Sequence, residues 1–410
     1  MNRAVWTIGE PPSANLLPPQ TREGPARVLF LHAMEVGFAT TTENLIHYAA
    51  DRADIDALHV RLAMPRWLKI ACTQSPFPVG ELDYRYLRHM LFWRMHLRTL
   101  LGPGRALPPD RFDAVHITTQ QRALIIRDFA RPGANPTRTK FAVNLDATLR
   151  NWESMRGLRR LAPPFDRSIE GRILRSADML ACATTWAAES CVGQYAAVRD
   201  RVVIHKPCAI VLPRDGAPED LRRPGGLVRI VFVGGNWADK GGPRLLRWHQ
   251  QRWADRAELH IVSGSAPPDA SARNVVWHAR VPHGILVGRL LPSMDIFAVP
   301  TKWDTFMIAA QEAQAAGLPV VTTRTGGVAE CVLDGTTGFL CDPESDEQYI
   351  RALEGLLADA GLRARMGAAA ARHARTALSA DVWHTHLLNN LVALADERPL
   401  LARPEGLSTP

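Results

Sequence analysis

Two carboxylates, Asp304 and Glu312, lie eight residues apart and bracket the start of a predicted helix. The helix is expected to begin near Phe306, after an apolar strand that ends at Pro300. The first N–H groups of a helix have no intrahelical partner and its dipole is positive there, so this terminus favours a phosphate. An ionised carboxylate only accepts hydrogen bonds, so each acidic residue would accept from hydroxyls. The spacing therefore favours a diphosphate flanked by two sugars, as in a nucleoside diphosphate sugar.

A glycine-rich segment earlier in the chain fits the same kind of ligand. Residues 230–242 read IVFVGGNWADKGG, an apolar strand followed by Gly234, Gly235 and Lys240. A flexible ammonium group can act as a point charge on phosphate. The segment therefore predicts Lys240 as a phosphate ligand, and a solvated surface lysine is the alternative.

Together these segments resemble the donor site of the retaining GT-B glycosyltransferases of glycosyltransferase family 4, the group 1 glycosyltransferases. That family carries E-x7-E, then A-x-x-x-G-x-P-V-V, then G-G-x-x-E-x-v-x-d-G-x-x-G. The residues that match this pattern are Asp304, Glu312, Ala313, Gly317, Pro319, Val320, Val321, Gly326, Gly327, Glu330, Asp334, Gly335 and Gly338. Lys240 matches the lysine that contacts the donor diphosphate. The resemblance covers roughly residues 25–390 and is weaker in the first half.

The resemblance implies transfer of a hexosyl unit from a nucleoside diphosphate sugar to an acceptor hydroxyl, with retention of configuration. Glu312 would hold the ribose and Asp304 the sugar, while Lys240 and the backbone of residues 306–308 would stabilise the departing diphosphate. The candidate catalytic residues are Asp304, Lys240 and Asp146. The candidate donor-binding residues are Gly234, Gly235, Lys240, Asp304, Thr305, Phe306, Met307, Ile308 and Glu312. No suitable loop carries a D-x-D-like motif, so neither a catalytic metal nor a cofactor besides the co-substrate is expected.

Four positions depart from the family pattern. Asp304 replaces a glutamate, Met307 replaces a glycine, and Gly235 stands where an arginine is usual. In the first half, residues 144–148 (NLDAT) stand where the family often has a histidine that contacts the donor sugar. These changes leave two alternatives open: a non-catalytic GT-B protein that binds a sugar or nucleotide, and a GT-B enzyme with another reaction, such as epimerisation or phosphorolysis.

Single residues also have structural interpretations. Asp304 could cap the helix that follows it, and Glu312 could be an ordinary exposed helix residue. Asp146 directly follows a predicted strand, where a carboxylate could orient an acceptor hydroxyl or serve only in its loop. His116, at another strand end, is predicted to be a packing residue rather than a ligand.

Alternation of apolar strands with helices predicts two α/β domains with parallel sheets. Predicted strands cover 27–32, 57–61, 114–117, 140–145, 179–183 and 202–205, then 228–234, 258–263, 275–277, 296–299, 319–322 and 338–341. Helices are predicted at 308–316, 346–357 and 380–395. The linker prediction rests on residues 212–226, which hold three prolines and three glycines among charges.

The expected fold is therefore GT-B, two Rossmann-like domains facing across a cleft with a C-terminal helix crossing over the pair. The predicted parts are a flexible extension (1–25), an acceptor-side domain (26–211), the linker (212–226), a donor domain (227–379) and a cross-over helix with its tail (380–410).

Composition and charge narrow the class of protein. Of 410 residues, 46% are hydrophobic and 22% charged, which excludes a wholly disordered chain. Residues 1–215 carry 29 Lys and Arg against 20 Asp and Glu, whereas the rest carry 20 against 21. The basic excess thus lies in the acceptor half and favours an anionic glycan or lipid-linked acceptor. No run of 18 apolar residues suggests a membrane span, and six scattered cysteines suggest reduced thiols, so a cytoplasmic location is expected.

A basic, aromatic helix over residues 84–101 (YRYLRHMLFWRMHLRTLL) has two interpretations. Its apolar stripe could pack inside the first domain, with the arginines facing water. Alternatively it could lie on an anionic membrane surface at the inner face of the membrane. Nucleic acid is not an expected partner, because no recognised binding motif accompanies the charge.

Overall fold

The computed structural model describes residues 5–7, 24–34, 38–62, 85–101, 105, 107–129, 139–157, 164–208, 226–264 and 272–404. The chain divides into two compact units. Unit 1 comprises the described residues up to Pro207 and those from Asp381 onward, and unit 2 those of Cys208–Ala380. The predicted linker, 212–226, lies outside the described residues except for Gly226.

Unit 1 is built on a seven-stranded parallel sheet of order β1-β3-β2-β4-β5-β6-β7. Its strands are β1 (Val5–Thr7), β2 (Ala26–Ala33), β3 (Ile55–Leu62), β4 (Ala114–Thr118), β5 (Lys140–Leu145), β6 (Met179–Cys182) and β7 (Val202–Ile204). Residues of β4, β6 and β7 are buried throughout, as expected for parallel strands covered on both faces.

One prediction for this unit is wrong in part. Residues 1–25 were expected to be a flexible extension, but Val5–Thr7 pairs with β3 at the edge of the sheet, with Val5 opposite His59. Residues 1–4 and 8–23 lie outside the described residues. The three residues form a strand because β3 offers an unpaired backbone edge, which no local pattern in the sequence reveals.

In the described residues up to Pro207, the α-helices are α1 (Phe38–Ala50), α2 (Arg85–Leu100), α3 (Ile126–Phe129), α4 (Leu149–Met155), α5 (Pro164–Ser176) and α6 (Thr185–Tyr195). Local chemistry explains where two of them begin. Thr148 and Asn151 form a capping box at the start of α4, and the Thr184 hydroxyl accepts from the Ala187 N–H at the start of α6. Both devices satisfy N–H groups that a helix leaves without partners.

The basic aromatic helix α2 packs its apolar stripe inside unit 1. Met90, Trp93 and Leu97 are fully buried, and the Arg122 guanidinium lies 4.6 Å from the Trp93 ring centroid. Beside this stripe, Arg94 and Arg98 form ion pairs with Asp128. The packing interpretation of this helix is therefore favoured. Two apolar side chains on it, Leu91 and Met95, remain exposed.

Unit 2 contains a six-stranded parallel sheet of order β10-β9-β8-β11-β12-β13. Its strands are β8 (Val228–Val233), β9 (Ala257–Val262), β10 (Val275–His278), β11 (Ile296–Val299), β12 (Val320–Thr323) and β13 (Gly338–Cys341). Its helices are α7 (Gly242–Arg252), α8 (His283–Ile285), α9 (Ile308–Ala315), α10 (Asp346–Ala358) and α11 (Ala360–Thr376). An irregular helical stretch continues α8 through residue 293. The core lies between the sheet and these helices, with Phe232, Trp248 and Phe297 among its fully buried side chains.

The C-terminal helix predicted over 380–395 is present as α12 (Ala380–Ala395) and returns the chain to unit 1. Its leucines Leu387, Leu388, Leu391 and Leu394 lie in the same hydrophobic core as Phe30 of β2. The helix therefore completes the first unit. Across the described ranges, no helix is both long enough and apolar enough to span a bilayer.

Candidate functional site

The candidate site of unit 2 lies where the strand order reverses. Strand β8 pairs with β11 at the middle of the sheet, β9 and β10 lie beyond β8, and β12 and β13 lie beyond β11. Loops that leave two such neighbouring strands turn to opposite sides and open a crevice at their carboxyl ends, which is where ligands of parallel α/β sheets bind. The loop after β8 carries Lys240, and the loop after β11 carries Asp304.

These two residues form an ion pair that joins the two loops. Lys240 Nζ lies 2.6 Å from Asp304 Oδ2, and only 12% of the Asp304 side chain is exposed. A glycine makes the close approach possible. Gly241 has φ +78°, and a Cβ added there would lie 2.0 Å from the carbonyl oxygen of Pro300, at the end of β11. The sequence prediction thus named two residues that the fold places in direct contact, although 64 positions separate them.

Asp304 also organises the turn before α9. Its Oδ1 accepts a hydrogen bond from the Phe306 N–H at 3.2 Å. The helix itself begins at Ile308, and its N-cap residue, Met307, provides no side-chain cap. The expected start near Phe306 is therefore two residues too early, and the interpretation of Asp304 as the cap of this helix is wrong. The carboxylate instead holds a tight turn and the lysine.

Residues 305–308 can bind a ligand through backbone N–H groups rather than through their side chains. Phe306 and Met307 are buried in the core of unit 2, where Met307 Sδ lies 3.6 Å from the Thr322 hydroxyl. The Thr305 carbonyl accepts from the Gly327 N–H at 3.0 Å. The N–H groups at the start of α9 have no partner within the helix. Met307 therefore departs from the family glycine without placing its side chain in the solvent-facing part of the site.

Glu312 is buried and paired. Its side chain is 7% exposed, and Oε1 lies 2.7 Å from Nε2 of His283. The hydrogen bond to Glu312 raises the pKa of His283 above its ordinary value. The interpretation of Glu312 as an exposed helix residue is therefore wrong. His283 lies 29 residues earlier, in an irregular segment without a motif, so its pairing with Glu312 is not predicted by the sequence pattern.

The two glycines of the β8 loop differ in their surroundings. The Gly234 N–H donates to the Val262 carbonyl, and a Cβ at Gly234 would lie 3.0 Å from the Phe232 ring and 3.2 Å from Lys240 Cβ. Gly235 is exposed, and a Cβ there would meet nothing within 4 Å. Close packing accounts for Gly234, whereas nothing in the local structure excludes the larger residue that the family has at Gly235.

The remaining predicted residues lie in unit 1. Asp146 directly follows β5 at its carboxyl end and is partly buried. Next to it, the Asn144 carbonyl accepts from the N–H of Thr119, a β-branched residue held at φ +72°. His116 is fully buried within β4, so it packs in the sheet as expected. The role of Asp146 toward an acceptor stays a prediction.

Two units of helix-covered parallel sheet, with a candidate phosphate and hydroxyl site at the strand reversal of the second, define the GT-B class of fold. Solved structures share this fold. Sucrose-phosphate synthase from Thermosynechococcus elongatus is 12% identical, with a TM-score of 0.64 over 89% of this chain and 98% of that one. A UDP-forming α,α-trehalose-phosphate synthase from Burkholderia xenovorans is 13% identical, with a TM-score of 0.64 over 90% and 99% of the two chains. Anabaena HepE in complex with UDP and glucose is 13% identical, with a TM-score of 0.61 over 90% and 100%.

The resemblance to the group 1 glycosyltransferases is confirmed for part of the chain. Residues 228–359 match the family described as Glycosyl transferases group 1, so unit 2 carries the domain of that family. The D-inositol 3-phosphate glycosyltransferase of Corynebacterium glutamicum (strain R) is 32% identical over 235 residues, which cover 51% of this chain and 56% of the relative. That of Stackebrandtia nassauensis is 27% identical over 319 residues, or 67% of each chain. The chain spans about half the length of the first relatives it matches.

Proposed function

We propose that the protein is a glycosyltransferase that moves a hexosyl unit from a nucleoside diphosphate sugar to an acceptor hydroxyl, with retention of configuration. The observation that carries the proposal is the Lys240–Asp304 pair at the strand reversal, beside the N-terminus of α9. A cation, a helix N-terminus and a carboxylate at one place suit a sugar joined to a diphosphate. Retention of configuration rests on the family resemblance.

The site can stabilise the departing diphosphate. As the sugar–phosphate bond breaks, negative charge develops on the diphosphate, where Lys240 and the first N–H groups of α9 would meet it. Asp304 would accept from a sugar hydroxyl and Glu312 from the ribose. The ion pair with Asp304 holds the Lys240 ammonium group at the site, and a diphosphate would compete with that carboxylate for it.

The acceptor side belongs to unit 1 in this proposal. The basic excess of the first 215 residues favours an anionic acceptor, such as a lipid-linked glycan or a polysaccharide precursor. The relatives reported above are named for an inositol phosphate, and two of the structural neighbours for sugar phosphates. Asp146 at the end of β5 would orient the acceptor hydroxyl. A cytoplasmic location, peripheral membrane binding and independence from metals stay predictions.

The test is a panel of UDP-, GDP-, ADP- and dTDP-hexoses, with inositol phosphate and hexose phosphates as acceptors and released nucleoside diphosphate as readout. Lys240→Met and Glu312→Ala are each expected to lower kcat/KM about 100-fold or more, the magnitude for losing a group that stabilises developing charge or positions the substrate. Lys302→Met is the matched control, because Lys302 lies in the same loop as Asp304 but pairs with Glu344 at the surface. If no donor is consumed, or if Lys240→Met behaves like Lys302→Met, the proposal fails.

The second candidate is a non-catalytic GT-B protein that binds a nucleotide sugar. Gly235 favours it, because this exposed position of the β8 loop lacks the cation that the family usually has near the phosphates. Met307 no longer supports this alternative, since its side chain lies in the core. Stoichiometric donor binding without release of nucleoside diphosphate would favour the second candidate over the first.

A further inference from the structure

The nucleotide end of the candidate site contains a residue outside the family pattern. His283 lies at the start of α8, and its side chain is 43% exposed. Its Nε2 lies 2.7 Å from Oε1 of Glu312, on α9. Within the described part of the chain, His283 is the one hydrogen-bond partner of that carboxylate. The contact joins α8 to α9, two helical segments that are not paired as strands of the sheet.

A buried carboxylate needs a donor, because an ionised oxygen without a partner loses its hydration at a large cost. The imidazole Nε2–H supplies this donor from one side and leaves Oε2 of Glu312 to accept from another group. An exposed imidazole and a buried carboxylate at this distance therefore fix the direction in which the second oxygen points. His283 sets this direction and therefore determines how well the two adjacent hydroxyls of a ribose can donate to the Glu312 carboxylate.

We propose that His283 is a positioning residue for the nucleotide: it holds Glu312 in the orientation that accepts the ribose hydroxyls of the donor. The inference rests on the proposed function and adds to it the residue that governs recognition of ribose against deoxyribose. The ribose is remote from the bond that breaks, so its contacts contribute equally to the bound donor and to the transition state. Loss of the imidazole should thus act on KM and leave kcat nearly unchanged.

The first measurement is the affinity of the full-length protein for UDP, GDP and ADP, for their 2′-deoxy counterparts and for dTDP, by isothermal titration calorimetry. His283→Ala is expected to weaken binding of the preferred ribonucleotide about tenfold, in line with loss of a hydrogen bond to a charged group. It is also expected to reduce the preference for ribose over deoxyribose to nearly none. His283→Gln keeps an N–H donor and should restore affinity to within about threefold of wild type.

Steady-state kinetics with the matching nucleotide sugar provide the second measurement. His283→Ala should raise KM about tenfold and change kcat by less than about twofold. The control is His47→Ala, an exposed histidine of α1 in unit 1, which should leave both constants unchanged. Circular dichroism establishes that each variant is folded.

The outcomes separate the two proposals. If wild type binds a nucleoside diphosphate and His283→Ala keeps the same ribose preference, the inference on His283 is overturned and the proposed function stands. An equal fall of kcat and of affinity would likewise contradict a positioning role confined to the ribose. If wild type binds none of the nucleotides, the proposed function is overturned, and the inference with it.

Discussion

His116 predicts a specific sensitivity of unit 1 to acid. The side chain is fully buried in β4, between Phe30 of β2 and Ala142 of β5 in the sheet register. Neither ring nitrogen has a hydrogen-bond partner in the described part of the chain. Burial, with a smaller contribution from His59, lowers the pKa of His116 from 6.5 to about 3. The folded protein therefore keeps this imidazole neutral at pH values where the unfolded chain protonates it.

The magnitude follows from that difference in pKa. Above pH 6.5 both states are neutral at this position, and the free energy of unfolding does not depend on its titration. Below pH 6.5 only the unfolded state takes up the proton, so stability falls by about 1.4 kcal/mol per pH unit until the pH approaches 3. At pH 5 the loss attributable to His116 is about 2 kcal/mol. The neighbouring histidines His32 and His205, whose pKa values burial also lowers, add to the total loss.

A substitution isolates the contribution of this residue. His116→Leu replaces the titrating group by an apolar side chain of similar volume. At pH 7.5 the substitution should leave the free energy of unfolding unchanged or raise it, because it removes a buried polar group that has no hydrogen-bond partner. Urea unfolding followed by circular dichroism at pH 7.5, 6.0 and 5.0 gives the free energies. Between pH 7.5 and 5.0, wild type should lose about 2 kcal/mol more than the variant. The control, His47→Leu on the surface of α1, should follow wild type. Parallel losses in wild type and His116→Leu would refute the reasoning.

Two substitutions test the packing of the units, each by urea unfolding. Gly338→Ala in β13 should lower the free energy of unfolding by about 1–3 kcal/mol, because the added Cβ would lie 1.9 Å from the Val320 carbonyl oxygen in β12. An unchanged midpoint would contradict that close approach. Trp93→Ala in α2 should cost about 3–5 kcal/mol, whereas Met95→Ala, 71% exposed on the same helix, should cost less than about 0.5 kcal/mol. Similar effects of the two would show that the apolar stripe of α2 does not face the interior.

Much of the fold could be predicted because both sheets are parallel and covered by helices. A strand such as β5, Lys140–Leu145, is buried on both faces and therefore reads as a continuous apolar run with clear ends. The helix α12 was equally plain, because its leucines recur at helical spacing and all face the core of unit 1. Strand β1 is not predicted, because its three residues are extended through pairing with the backbone of β3 and not through a pattern in their own sequence.

The site was predictable to the extent that it depends on strand ends. Lys240 follows β8 and Asp304 follows β11. The motif predicts that both residues bind one ligand, and the strand order places their two loops side by side. The burial of Glu312 and its pairing with His283 could not be read from the sequence, because they depend on where the irregular segment at 283–293 lies against α9. The start of α9 was misplaced for a related reason: Asp304 closes a turn that delays the helix to Ile308.

The pairing of charges changes how the basic excess of the chain should be interpreted. In unit 2, each carboxylate of the candidate site already has a cationic or hydrogen-bonding partner, Lys240 for Asp304 and His283 for Glu312. A donor would therefore exchange partners within a nearly balanced set of charges, and net attraction would contribute little to its capture. The excess of nine positive charges lies instead in the first 215 residues, where 29 basic residues face 20 acidic ones. Any long-range attraction of an anion would thus originate in the first 215 residues rather than around the candidate donor site, which supports assigning the anionic ligand of the proposed reaction to the acceptor.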